Sequence, residues 1–116
     1  MTNLRAVDAN DLPWAPHRSY PGVYVRAVQG SEVCADLEVK WVRIAPGAEI
    51  PPHTHADSAE TFYIFAGQGA FYMADRLVPC HAGSCGFAPP GAVHGLKNVS
   101  QEDLHLLAVF TPPLNK

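Results

Sequence analysis

The sequence predicts an all-β domain, a sandwich or barrel of short strands. Three observations carry this. Eleven prolines and nine glycines are spread through the 116 residues and cut the chain into short pieces. The pieces between these breakers are rich in Val, Tyr, Phe, Ile and Leu, which suit a half-buried pleated surface. No stretch sustains a helical period between caps.

The strands read in order as GVYVRAV, DLEVKWVRI, ETFYIFA, GAFYMA, GFAPP and LHLLAVF. In the second, Leu37, Val39, Trp41 and Val42 bracket Glu38, Lys40 and Arg43, an alternation expected of a strand. Gly47 follows Pro46 in a predicted type II turn. Gly67 and Gly69 stand where the chain reverses after ETFYIFA. Asn98 opens the turn NVSQED, where its side chain can bond neighbouring backbone. In the closing TPPLNK, two prolines stop the last strand. There is no internal repeat or low-complexity segment, and the length fits one domain, residues 1–116.

Composition excludes several classes. Hydrophobic residues make up 47% of the chain and charged residues 16%, so the chain has the means to build a core. The formal net charge of -3 and the lack of a Lys/Arg cluster argue against a nucleic-acid partner. No apolar run is long enough to span a membrane. The opening MTNLRAVDANDLPW lacks the apolar centre of a secretory leader, which predicts a cytoplasmic protein. Cys34, Cys80 and Cys85 then read as free thiols, and Cys80, His81 and Cys85 lack zinc-knuckle spacing.

The segment HTHADSAETFYIFAGQG, from His53 to Gly69, holds the chemistry. In a strand, residues two apart share a face, so His53 and His55 aim two imidazoles at one point. After the turn ADSA, Glu60 opens the next strand and can face the same interior. His94, after Pro89-Pro90-Gly91, is the candidate fourth ligand from a distant strand. Three imidazoles and a carboxylate suit a divalent first-row metal, whereas closed structural zinc sites draw more on thiolates. Such a centre keeps net positive charge and attracts an enolate, a carboxylate or a phenolate.

The wider pattern resembles the cupin superfamily. Its first motif matches from Gly47 through His53, His55 and Glu60 to Gly67, with every gap as expected. Its second matches from Gly83 through Pro89, Gly91 and His94 to Asn98. The resemblance covers residues 47–67 and 83–98, and the spacing between the motifs is near the short end of the family's range, as in small microbial single-domain cupins. It implies a double-stranded β-helix, or jelly roll, around a metal held by His53, His55, Glu60 and His94. It also implies a homodimer.

A fold of this kind hosts many reactions, so activity must be argued from the site. Glu60 sets the chain apart from thiol dioxygenases of the superfamily, which typically lack that carboxylate. The full ligand set sets it apart from the sugar epimerases, which use a His–Asp base without metal. The sequence therefore points to an enzyme using Fe, Mn, Ni, Zn or Cu on a small organic acid, enolate or phenolic substrate, with dioxygenation leading. Lyase, isomerase or decarboxylase chemistry is the alternative, followed by a non-catalytic module that binds metal and ligand. His105 is a catalytic candidate, as the polar residue of an apolar run. Asp57 reads as a solvated turn carboxylate, Tyr63 points away from the metal, and Tyr72 can face either way. Phe62 and Ile64 share the face of Glu60 and would wall the pocket. Gly86 and Ala88 either enlarge that pocket or admit a close neighbour outside. His17 and His81 read as surface residues.

Overall fold

The computed structural model describes residues 4–114. After a 3-10 turn at Ala9–Asp11 come ten strands: β1 (Ala15–Pro16), β2 (Val23–Gln29), β3 (Glu38–Ile44), β4 (Glu49–His53), β5 (Ala59–Ala66), β6 (Gln68–Met73), β7 (Arg76–His81), β8 (Cys85–Ala88), β9 (His94–Lys97) and β10 (Leu104–Thr111). They form two antiparallel sheets, ordered β1-β2-β3-β10-β5-β8 and β4-β9-β6-β7. The crossings from β4 to β9 and from β5 to β8 bring distant segments side by side. This is the jelly roll of the double-stranded β-helix. Its two sheets stay distinct and do not close into one barrel. Among the described residues, no helix is long and apolar enough to cross a membrane.

Six strands coincide with the pieces read from the sequence. Two others were hidden by proline. β4 contains Pro51 and Pro52, and β7 contains Pro79. Both strands lie at the edges of the smaller sheet, where a missing backbone donor is tolerated.

The core lies between the sheets. Val42 and Ile44 of β3, Phe62 and Ile64 of β5, Leu104 and Leu106 of β10, and Phe71 and Leu96 of the smaller sheet are all buried. Burying an aliphatic or aromatic side chain contributes about 1.5–3 kcal/mol, so this layer supplies the main stabilisation. In β3 the inward face also carries Glu38 and Lys40, while Val39 and Trp41 lie on the other side. The alternation of this strand therefore has the right period, but two of its three charged residues, Glu38 and Lys40, face in.

Two junctions hold the sheets in register. Gly47 has φ 78° in a turn closed by Ala48 N–H donating to Ala45 O at 3.0 Å, as a type II turn requires. Asn98 is 1% exposed; its amide donates to Ile44 O at 2.9 Å and Glu102 O at 2.7 Å. Its Oδ1 accepts from Ser100 N–H and Ser100 Oγ, each at 2.9 Å. The end of β9 is thereby fastened to β3 and to the turn before β10.

Candidate metal centre

His53 is the last residue of β4, His94 the first of β9, and Glu60 the second of β5. The edge pairing of β4 with β9 sets His53 directly opposite His94. His55 lies just beyond β4 rather than within it. Strand alternation therefore does not aim it; it reaches the same point from the loop between β4 and β5. One donor atom from each of His53, His55, Glu60 and His94 falls within 4.8 Å of the others.

The hydrogen bonds fix which atoms face the centre. His53 Nδ1–H donates to Pro51 O at 2.8 Å, and His94 Nδ1–H donates to Ala92 O at 2.9 Å. Both rings therefore turn Nε2 inward, as outer hydrogen bonds do for metal-binding histidines. His53 Nε2 lies 3.1 Å from His55 Nε2. Glu60 Oε1 lies 3.0 Å from His94 Nε2 and 3.4 Å from His55 Nε2. With its proton on Nδ1, His94 would set a lone pair against a carboxylate oxygen. Such a contact needs a shared proton or a metal ion between the two. With metal–ligand distances of about 2.1 Å, neighbouring donors at right angles stand about 3 Å apart. The donor set and its spacing fit a first-row divalent ion, and the mixture of three nitrogens and one oxygen is common to several such metals.

The charges of the cluster are coupled. Burial pushes the Glu60 carboxyl up, but the hydrogen bonds from His55 and His94 outweigh it and hold the group below its ordinary value. Burial pushes His94 down, and the bonds to Glu60 and Ala92 O reverse that, so its pKa is raised. Burial and the neighbouring imidazoles lower His53, against the pull of Pro51 O and Glu60. A metal ion held by these four side chains would displace protons from them.

The four side chains open on a cavity of about 260 Å³ whose walls are mainly apolar, with Val42, Ile50, Phe62, Leu106 and Phe110 among them. Phe62 lines this cavity. Ile64 is fully buried in the core behind it and does not line the cavity. Gly86 faces inward, yet it opens no space. A Cβ there would stand 2.2 Å from Phe62 Cε2, so the Phe62 ring occupies the volume that the glycine leaves. Ala88 is buried opposite Glu60.

His105 stands outside the cavity. It lies on the outer face of the larger sheet, where Nδ1 accepts from Trp41 Nε1–H at 3.0 Å. Tyr63 is exposed, and Tyr72 donates to Glu49 Oε1 at 2.6 Å. His81 is exposed, whereas His17 lines the cavity together with Tyr20 and Lys40. Sequence reading missed these three. Lys40 was legible only through the phase of β3; His17 and Tyr20 come from an irregular segment with no periodic signal.

A family model for the cupin domain matches residues 40–110. Among curated proteins, the chain is 31% identical over 115 residues to auxin-binding protein 1 of Arabidopsis thaliana, covering 90% of this chain and 57% of that protein. It is 38% identical over 61 residues to an uncharacterized protein of Aquifex aeolicus, covering 53% of this chain and 50% of that one. The chain spans about half the length of the curated relatives it matches. Among solved structures, it is similar to a predicted oxalate decarboxylase from Thermotoga maritima, at 24% identity and TM-score 0.86, covering 93% of this chain and 99% of that one. It is also similar to the polyketide cyclase RemF of Streptomyces resistomycificus, at 20% identity and TM-score 0.84, covering 94% and 80%. At these identities the two structures share the fold.

Proposed function

Because the chain belongs to the cupin domain family, we propose that it is a metal-dependent enzyme acting on a small organic acid, enolate or phenolic compound, with dioxygenation as the leading reaction. The carrying observation is the convergence of His53, His55, Glu60 and His94 on one point in the wall of an apolar cavity. A divalent ion there would supply Lewis acidity or activation of oxygen. The chain's own part is to bind and orient. One carboxylate leaves a dipositive ion with net positive charge, which favours an anionic oxygen. Val42, Phe62, Leu106 and Phe110 exclude water from the rest of the ligand.

The test is elemental analysis of the purified protein, followed by oxygen-uptake assays with enolates and phenols. Near-stoichiometric metal, and uptake abolished by a chelator, support the reading. A metal-free protein that resists reconstitution would sink it. A second reading, a module that binds metal and ligand without turnover, has one observation in its favour. A protein similar over most of this chain is named for binding auxin. In that case ligands would be held at the metal and recovered unchanged.

We read residues 1–116 as one cupin domain. The free thiols of Cys34, Cys80 and Cys85 suit a cytoplasmic location. Exposed Tyr63, Phe65 and Phe87 on the outer face of the larger sheet support a homodimer. Sedimentation of wild type and Phe87→Glu tests the latter; a monomer in both cases removes it.

A further inference from the structure

The cavity is mainly apolar, yet two nitrogen donors line it besides the four ligands. Lys40 enters from β3, where it faces inward between Glu38 and Val42. Glu38 is 6% exposed and accepts Leu114 N–H at 2.9 Å through Oε1. Its Oε2 lies 3.6 Å from Lys40 Nζ, longer than a hydrogen bond. Glu38 therefore holds the ammonium in place without using up its three donors. Lys40 Nζ stands 5.4 Å from the centre of the Phe110 ring, and His55 meets the same ring edge-on at 5.5 Å. A single aromatic ring thus links the cation to a member of the ligand cluster.

His17 is the second donor. Its Nδ1 accepts Ser19 N–H at 3.0 Å, so the neutral ring carries its proton on Nε2. It stacks on Tyr20 with centroids 4.3 Å apart, which fixes the plane of the imidazole. Burial, and then the Lys40 charge, hold its pKa below the ordinary value. An uncharged apolar ligand would leave both donors facing a wall that cannot accept from them, at a cost in desolvation. A carboxylate accepts from both.

We propose that Lys40 and His17 form an anion subsite, and that the preferred ligand is a compact apolar acid. Its carboxylate is held by Lys40 and His17, and its far oxygen, an enolate or phenolate, faces the four-ligand cluster. The orientation of the far oxygen rests on the metal centre proposed above. Glu38 is a positioning residue for Lys40.

The test uses 4-hydroxybenzoate and phenol as probes, titrated into the Co²⁺-loaded protein and followed by its visible spectrum and by calorimetry. Wild type should bind the acid about tenfold or more tighter than phenol, as charge-assisted hydrogen bonds imply. Lys40→Met should erase that preference while the phenol affinity stays within about twofold. Lys40→Arg should keep most of the preference, and His17→Phe should lose a smaller part. Co²⁺ stoichiometry should be equal in all four proteins. No preference in wild type, or a Lys40→Met protein that weakens both probes alike, overturns the subsite. If Co²⁺ does not bind at all, the metal centre fails on its own. The subsite then still requires metal-free protein to prefer benzoate over benzyl alcohol and to lose that preference in Lys40→Met. Absence of that preference would overturn it too.

Discussion

Strands β3 and β10 lie side by side, and their two faces do opposite things with the same kinds of residue. The inner face carries Glu38, Lys40, Val42 and Ile44 beside Leu104, Leu106, Ala108 and Phe110. The outer face carries Val39, Trp41 and Arg43 beside His105, Leu107 and Val109. Outside, cations serve as flat covers for rings. Arg26 lies 4.1 Å from the Trp14 ring and 4.5 Å from the Trp41 ring, and Arg43 lies 4.8 Å from Trp14 and 4.4 Å from Tyr24. Inside, charges are few, and they stand beside the cavity. A charge facing inward costs desolvation unless something there answers it, so the inner polar residues point to ligand chemistry. The outer ones point to packing.

The largest effect that can break this contrast is on metal affinity. His94→Ala should lower it by more than about 100-fold, beyond what loss of an outer partner causes. Competition with a coloured chelator measures it. Trp41→Phe, on the outer face, should leave it unchanged. Equal losses would show that the two faces are not functionally separate.

Next comes packing within β8. Gly86→Val drives a side chain into Phe62 and should cost about 2 kcal/mol, typical of overpacking. Its exposed neighbour Cys85→Val should change stability by no more than about 0.5 kcal/mol. Phe62→Ala should cost less on the Gly86→Val background than on wild type, since the valine takes up part of the space that the ring vacates. Denaturant unfolding of wild type, the three single variants and the double variant reads all of these. On the outer face, Arg26→Met should cost about 1 kcal/mol through its two lost ring contacts, with metal affinity unchanged.

This contrast also explains what the sequence could reveal. Periods of two were legible, and so was the spacing of His53, His55, Glu60 and His94, because turn residues and ligand types leave local marks. The phase of β3 was not. Its Val39 and Trp41 look like core residues, yet both lie on the outer face, where aromatic and arginine neighbours cover Trp41. That covering comes from Trp14 and Arg26, which lie far off in sequence. For the same reason Lys40 read only as a polar member of the alternation, and His105 as a possible catalyst. β4 and β7 were obscured by prolines that only an edge strand accepts. Gly86 left pocket space and a close outer neighbour as open alternatives because nothing local records that Phe62, a strand away, fills its space.

The smallest effect concerns His105 and the pH dependence of stability. Burial lowers its pKa, Asp103 raises it, and Arg43 and Arg26 lower it again, leaving the folded value below the ordinary one. The unfolded chain therefore binds the proton first as pH falls. The stability that His105 contributes is present above about pH 6.5, its unfolded value, and is lost as pH drops through the lower folded value. Protonation also costs a bond, because a protonated Nδ1 can no longer accept from Trp41 Nε1–H. Gln at this position keeps an acceptor and removes the titration. With chelator present in both samples, the fall in unfolding free energy from pH 7.5 to pH 5 should be smaller in His105→Gln than in wild type. The other histidines titrate alike in both proteins and drop out of the difference. An identical pH slope would mean that His105 takes up its proton without losing the Trp41 bond, and that the outer face is held by its stacked arginines alone.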